Sequence, residues 1–141
     1  MPPVRAVWQV APWMATQGGG SIIHISSIAG MEGGWAPALA YGAGKAALIS
    51  HAKAQALALA AQKIRVNTIA PGSIEFPGGF FDNLKTANRG FYDAVQSSIA
   101  WGRYGAAEEV ADAVVFLASA RASWITGICL RVDGGQVRAN L

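Results

Sequence analysis

Charge is scarce in this sequence. Eight acidic and eleven basic side chains make up 13% of 141 residues, against 52% hydrophobic ones. That balance excludes a disordered chain. It also implies an apolar surface of the kind that packs against copies of itself. Cysteine is nearly absent, with Cys129 standing alone. An internal disulfide framework is excluded, and a reducing, cytoplasmic compartment is expected. His24 and His51 have no Cys or carboxylate at ligand spacing, so no metal site is expected. The basic residues form no run, which argues against nucleic acid. Every apolar stretch is interrupted by Lys, Arg, Asp or Gln before the roughly 18 residues that a membrane helix needs, so no membrane partner is expected. The opening Met-Pro-Pro-Val-Arg lacks the layout of a signal peptide.

What is present alternates between two periodicities. Residues 4–16 read as an apolar helix in which Pro12 predicts a kink or break. Gly18-Gly19-Gly20 stops it, and residues 21–26 form a short apolar run that reads as a buried strand. Residues 27–39, rich in glycine, read as a loop. The Ala-rich stretch 40–62 favours a long helix, and 64–69 a second strand ended by Pro71-Gly72. Two short helices are expected around 81–87 and 91–99. A better one spans 107–119, with Glu108 and Glu109 in its first turn. Residues 128–132 read as a third strand ended by Asp133-Gly134-Gly135. Strands alternating with helices predict parallel βαβ units, and in such sheets ligands bind beyond the carboxyl ends of the strands. Ser27, Pro71-Gly72 and Asp133 all follow strands.

Tyr41 and Lys45 lie four residues apart and so share one helix face. The crossover returns that helix start to the strand end carrying Ser27. A hydroxyl, a phenol and an ammonium then meet at one sheet edge, a set suited to proton transfer at a carbonyl or alcohol oxygen. A free tyrosine ionises near pH ~10, so work near neutrality needs about 4 kcal/mol of phenolate stabilisation. An exposed lysine supplies about 0–1 kcal/mol, but a partly buried charge at ~4 Å supplies about 4. Lys45 must therefore be shielded or joined by a second positive charge. Of the three tyrosines only Tyr41 has a lysine four residues on, where chance predicts roughly 0.1 such pairs.

Ser26-Ser27, Tyr41-Gly42-Ala43-Gly44-Lys45, Asn67 ahead of Pro71-Gly72, and Val132-Asp133-Gly134-Gly135 resemble, in order and rough spacing, the short-chain dehydrogenase/reductase family. Nearest in style are its β-ketoacyl-(acyl carrier protein) reductase-like members. The resemblance implies a Rossmann fold and NAD- or NADP-dependent interconversion of a secondary alcohol and a ketone. It makes Ser27 the substrate-orienting serine, Tyr41 the proton donor or acceptor, and Lys45 the residue that also binds the nicotinamide ribose. Pro71, Gly72 and Ile74 match the segment that lies against the nicotinamide, and residues 73–106 match a lid over the substrate. Family members commonly dimerise through the helix that carries Tyr41 and Lys45 and the helix before it, so a homodimer or tetramer is expected.

The family's Gly-rich phosphate turn, its NAD-or-NADP-selecting residue and its Asn-Ala-Gly strand end have no counterpart here. Its helical asparagine would fall before Met1. The expectation is one truncated α/β domain over 1–141, a partial Rossmann-like, doubly wound parallel sheet. Phe76 stands where the family commonly has the threonine that holds the carboxamide, and His24 where it often has asparagine. The interval from Ser27 to Tyr41 is about one residue longer than usual, an excess the Gly33-Gly34 loop can absorb. Two other readings stand beside the oxidoreductase: a non-catalytic, self-associating remnant, and an isomerase or dehydratase using the same Tyr and Lys. His24 is expected to be a satisfied strand residue, His51 a helix-surface residue and Cys129 a small core residue. The aromatics between Phe76 and Trp101 fit core packing and an apolar substrate about equally.

Overall fold

The computed structural model describes residues 2–32 and 38–139. Gly33 and Gly34, and with them the absorption of the long interval before Tyr41, lie outside the described residues. The elements in chain order are α1 Pro2–Thr16, β1 Gly20–Ile25, α2 Leu39–Leu59, β2 Ile64–Pro71, α3 Phe80–Ala87, α4 Arg89–Ser98, α5 Ala107–Ala118 and β3 Cys129–Val132. Short 3-10 turns follow β1 at Ile28–Gly30, α2 at Ala60–Gln62 and α5 at Ala120–Ala122. The sheet is three-stranded, parallel and ordered β1-β2-β3, with Ile22 opposite Val66 and Ile69 opposite Leu130. This is the α/β arrangement expected from the alternation of elements.

β2 is buried on both faces, as the middle strand of a covered parallel sheet must be. Its two faces feed two cores. Ile64 and Val66 pack with Val7 and Ala11 of α1 and Ala52 and Ala56 of α2. On the other face, Ile69 packs with Leu117 of α5 and Ala122. The small side chains of α2 let it lie close to the sheet. A third cluster of Tyr92, Ile99 and Tyr104, joined by Phe81, Leu84 and Val95, fills the α3–α4 hairpin.

Two polar residues of β2 tie the layers together. Asn67 is fully buried; its Nδ2 donates to the Ile125 carbonyl at 2.9 Å and its Oδ1 accepts from the Ile128 amide at 3.2 Å. Arg65 fans its guanidinium over the carbonyls of Leu117 at 2.8 Å and Ser119 at 3.2 Å, with longer contacts to Ala118 and Ile125 at 3.4 Å. A cation there satisfies the orphan carbonyls at the C-terminus of α5 and complements its dipole.

Helix α1 runs through Pro12 instead of breaking. The carbonyl that loses its partner belongs to Trp8, on the exposed face of the helix, where water can replace the missing donor. His51 is half-buried, not on the helix surface, because it stands one turn before Gln55 in the buried stripe of α2; its Nε2 is enclosed without a hydrogen-bond partner among the described residues. No helix among the described residues is long and apolar enough to cross a membrane. No cluster of three or more His, Cys, Asp or Glu that could hold a metal occurs among them.

Candidate active site

The C-terminal end of β1 is fastened at three points, once to β2 and twice to α2. The Ser26 amide donates to the Ile69 carbonyl at 2.7 Å, extending the strand ladder by one residue. The buried Ser26 hydroxyl donates to the Lys45 carbonyl at 2.9 Å. Lys45 Nζ donates back to the Ile25 carbonyl at 2.9 Å. Sequence reasoning passed over Ser26 as a structural residue; its hydroxyl locks the turn of α2 that carries Lys45.

Ser27 follows in an extended conformation and caps the 3-10 turn, its Oγ accepting from the Ala29 amide at 3.2 Å. That turn lies directly on α2. A Cβ on Gly30 would sit 2.7 Å from the Ala46 amide nitrogen, and one on Gly42 would sit 2.8 Å from the Ala29 carbonyl oxygen. Two glycines facing across one contact thus let the strap carrying Ser27 rest on the helix carrying Tyr41 and Lys45. The Lys45 ammonium stands 5.5 Å from the centroid of the Tyr41 ring, which is half exposed.

Behind this edge His24 and Gln55 are both buried, with His24 Nε2 and Gln55 Oε1 2.9 Å apart. His24 is therefore a satisfied strand residue, as expected. Cys129 is half-buried beside Thr68, and burial pushes its thiol up.

Pro71 closes β2 and Gly72 donates to the Val132 carbonyl at 2.9 Å, so the chain leaves the sheet alongside β3. Ile74 then forms a parallel bridge with Gly105. A cleft of about 320 Å³ opens beside this bridge, lined by Ile74, Trp101, Arg103, Arg131 and Asp133 among others. Ser27, Tyr41 and Lys45 do not line it. Asp133 serves its own turn, accepting from the amides of Gly135 at 3.1 Å and Val137 at 2.9 Å.

The segment after β2 holds a network that no sequence spacing signalled, since its members are 10 and 17 residues apart. Glu75 accepts from Lys85 of α3 and from the Tyr92 hydroxyl of α4, each at 2.5 Å. The Lys85 ammonium, with the Tyr92 hydroxyl, holds the Glu75 carboxyl below its usual range, and the carboxylate in turn holds the Tyr92 phenol protonated. Glu109, expected as a helix-start charge, also caps the Ala106 amide at 2.8 Å and takes a two-pronged contact from Arg103 at 2.7 and 2.9 Å. The aromatics divide between the two readings: Phe81, Tyr92 and Tyr104 stack with centroids 4.6–4.8 Å apart, while Phe76, Phe80 and Trp101 are at least half exposed.

A family model described as enoyl-(acyl carrier protein) reductase matches residues 3–136. The 3-oxoacyl-(acyl-carrier-protein) reductase FabG of Thermotoga maritima is 41% identical over 128 residues, 91% of this chain and 50% of that protein. A solved structure described as ElxO with NADP bound superposes with a TM-score of 0.86 at 28% identity, covering 95% of this chain and 53% of that one. The L-sorbose reductase of Gluconobacter frateurii, complexed with NADPH and L-sorbose, superposes with a TM-score of 0.83 at 34% identity over 96% of this chain and 54% of its own. The chain spans about half the length of the curated relatives it matches.

Proposed function

This chain belongs to the short-chain dehydrogenase/reductase family, and from that premise we propose that it carries the catalytic half of an NAD(P)-dependent oxidoreductase interconverting a secondary alcohol and a ketone. The observation that carries the reading is the pinning of Lys45 to the Ile25 carbonyl on the helix turn that also bears Tyr41, under the strap that bears Ser27. In this reading the Ser27 hydroxyl holds the substrate oxygen by a hydrogen bond. Tyr41 gives the proton to that oxygen in reduction and takes it in oxidation. Lys45 holds its ammonium on the same helix face, 5.5 Å from the centre of the Tyr41 ring.

The residues fit the nicotinamide-ribose end of a dinucleotide. An ammonium has three donors, and the contacts among the described residues commit one of Lys45's to Ile25, leaving two for neighbouring ribose hydroxyls. Pro71, Gly72 and Ile74 would flank the ring where the chain leaves β2. When bound, the nicotinamide supplies or accepts the hydride. The stretch 18–20 does not fit the phosphates: a Cβ on Gly19 would lie 2.4 Å from the Lys63 carbonyl oxygen, so this glycine packs against the end of the crossover from β1 to β2. The relatives described with bound NADP and NADPH support a nicotinamide cofactor without choosing between NAD and NADP.

Assembly with further copies is a second part of the proposal. Trp8 and Trp13 of α1 and Leu57 of α2 are 73%, 66% and 72% exposed, apolar side chains that a homodimer or tetramer would cover. A cytoplasmic setting is consistent with a single, half-buried cysteine. The test is titration of the folded chain, and of the protein that contains it, with NADH and NADPH followed by nicotinamide fluorescence, with sedimentation run in parallel. Saturable binding supports the reading. In an active form Tyr41→Phe should abolish turnover while leaving dinucleotide binding within about twofold. Full activity of that variant overturns it.

A further inference from the structure

The α3–α4 hairpin stands at the sheet edge where β2 ends, the edge that in parallel α/β sheets faces the ligand. It leaves and returns through Gly78 and Gly102, both in the left-handed region at φ 74° and 69°. Such positions suit hinges, because they absorb backbone rotation with little steric cost. Several contacts bind the hairpin to the remainder of the chain, among them Gln136 on the Ser98 hydroxyl at 3.3 Å and the Trp101 amide on the Gly134 carbonyl at 3.1 Å, but one carboxylate reaches both of its helices. Glu75 Oε1 takes the Lys85 ammonium of α3, and Oε2 takes the Tyr92 hydroxyl of α4. The backbone beneath Glu75 is itself anchored, its amide donating to the Gly105 carbonyl at 2.9 Å while the Gly105 amide donates to the Ser73 carbonyl at 3.0 Å. The cations of Lys85 and Arg89 each stand 5.5 Å from the centroid of the Tyr92 ring. Tyr104 adds a further tie by donating to the Tyr92 carbonyl at 2.8 Å.

We propose that Glu75 is a positioning residue that locks the α3–α4 hairpin to the exit of β2 and thereby sets where the hairpin stands against the substrate. Its role at the substrate rests on the oxidoreductase reading; the lock itself does not. Both carboxylate oxygens are engaged by partners on two different helices, so loss of the charge loosens both at once. α3 and α4 also meet each other at Asn88, which ends the first and caps the second, while Glu75 joins each of them to the exit of β2. Phe76, the next residue, is 50% exposed, so the lock also fixes the place of an aromatic ring at the same edge.

The experiment is amide hydrogen exchange on the chain and on Glu75→Gln, with Lys85→Met as a second variant should the first not fold. Exchange across 80–98 should accelerate about tenfold or more, with β1, β2 and α2 unchanged. Unchanged exchange in 80–98, or acceleration spread evenly through the chain in the variants that fold, overturns the lock. In an active form, Glu75→Gln should raise KM for the carbonyl substrate about fivefold while kcat and dinucleotide affinity stay within about twofold. An equal fall in kcat would assign the residue to the chemistry and overturn the positioning role. Because exchange needs no turnover, a wild-type protein without oxidoreductase activity would overturn the catalytic reading while leaving the lock to be judged on its own signal.

Discussion

Lys45 of α2 donates from Nζ to the carbonyl of Ile25, the last residue of β1, at 2.9 Å. One side chain thus closes the junction between the strand that leads to Ser27 and the helix that bears Tyr41. The bond is exposed, so its contribution to stability is small, about 1 kcal/mol or less. Lys45→Met keeps the stem and removes the ammonium. The expected outcome is a melting temperature within a few degrees of the parent and a clear loss of dinucleotide binding, about tenfold or more. A large drop in stability with binding retained would make Lys45 a structural tie.

The contact between the Ser27 strap and α2 depends on Gly30. An alanine there would bring its Cβ to 2.7 Å from the Ala46 nitrogen and the Lys45 carbonyl carbon, both backbone atoms that cannot swing away. The strap must lift. Gly30→Ala is expected to destabilise the fold by about 1–3 kcal/mol and to shift the backbone amide signals of residues 27–30 and 42–46. Urea unfolding and amide spectra check this; a neutral substitution would show that the strap is looser than the close approach implies.

Arg65 is the third test. Its guanidinium serves four carbonyls around the end of α5, and no carboxylate faces it among the described residues. Arg65→Met retains the apolar stem but removes the charged donor from these carbonyls, leaving only Ser21 on Leu117, Asn67 on Ile125 and the Ala122 amide on Ser119. The expected cost is about 1.5–3 kcal/mol, read as a lower urea midpoint at unchanged slope. Protection lost first at the C-terminal turn of α5 would locate the effect.

Much of this was legible from local pattern. β1 and β2 are short runs rich in β-branched residues, and β2 lacks alternation because both its faces are covered. Tyr41 and Lys45 announce their shared face through helical spacing alone. What stayed hidden depends on contacts between distant segments. Glu75, Lys85 and Tyr92 meet only after the hairpin folds back, and nothing in their spacing implies it. Gln55 in an Ala-rich helix carries no local sign of the partner that it meets in His24. Of the kink or break that Pro12 signals, the break does not occur, because a lost backbone bond costs little where the freed carbonyl faces water.

Stability should fall at both ends of the pH scale, for separate reasons. Glu109 lies between Arg103 and the Ala106 amide, which hold its carboxyl down to about 2 from an ordinary value of 4.5. The folded state favours the ionised form, so this contribution is complete above about pH 4.5 and drains away as the pH falls towards 2. Glu75, lowered by Lys85 and Tyr92, adds in the same direction. Tyr104 behaves oppositely: burial pushes its phenol up to about 12 from an ordinary value of 10. The folded state favours the neutral phenol, so its contribution holds below pH 10 and is lost between 10 and 12, as the unfolded chain ionises first. Urea midpoints measured across pH should decline on both limbs. Glu109→Gln should flatten the acid limb alone and Tyr104→Phe the alkaline limb alone. An acid limb unchanged in Glu109→Gln would place the acid sensitivity in other carboxylates and remove Arg103–Glu109 as its source.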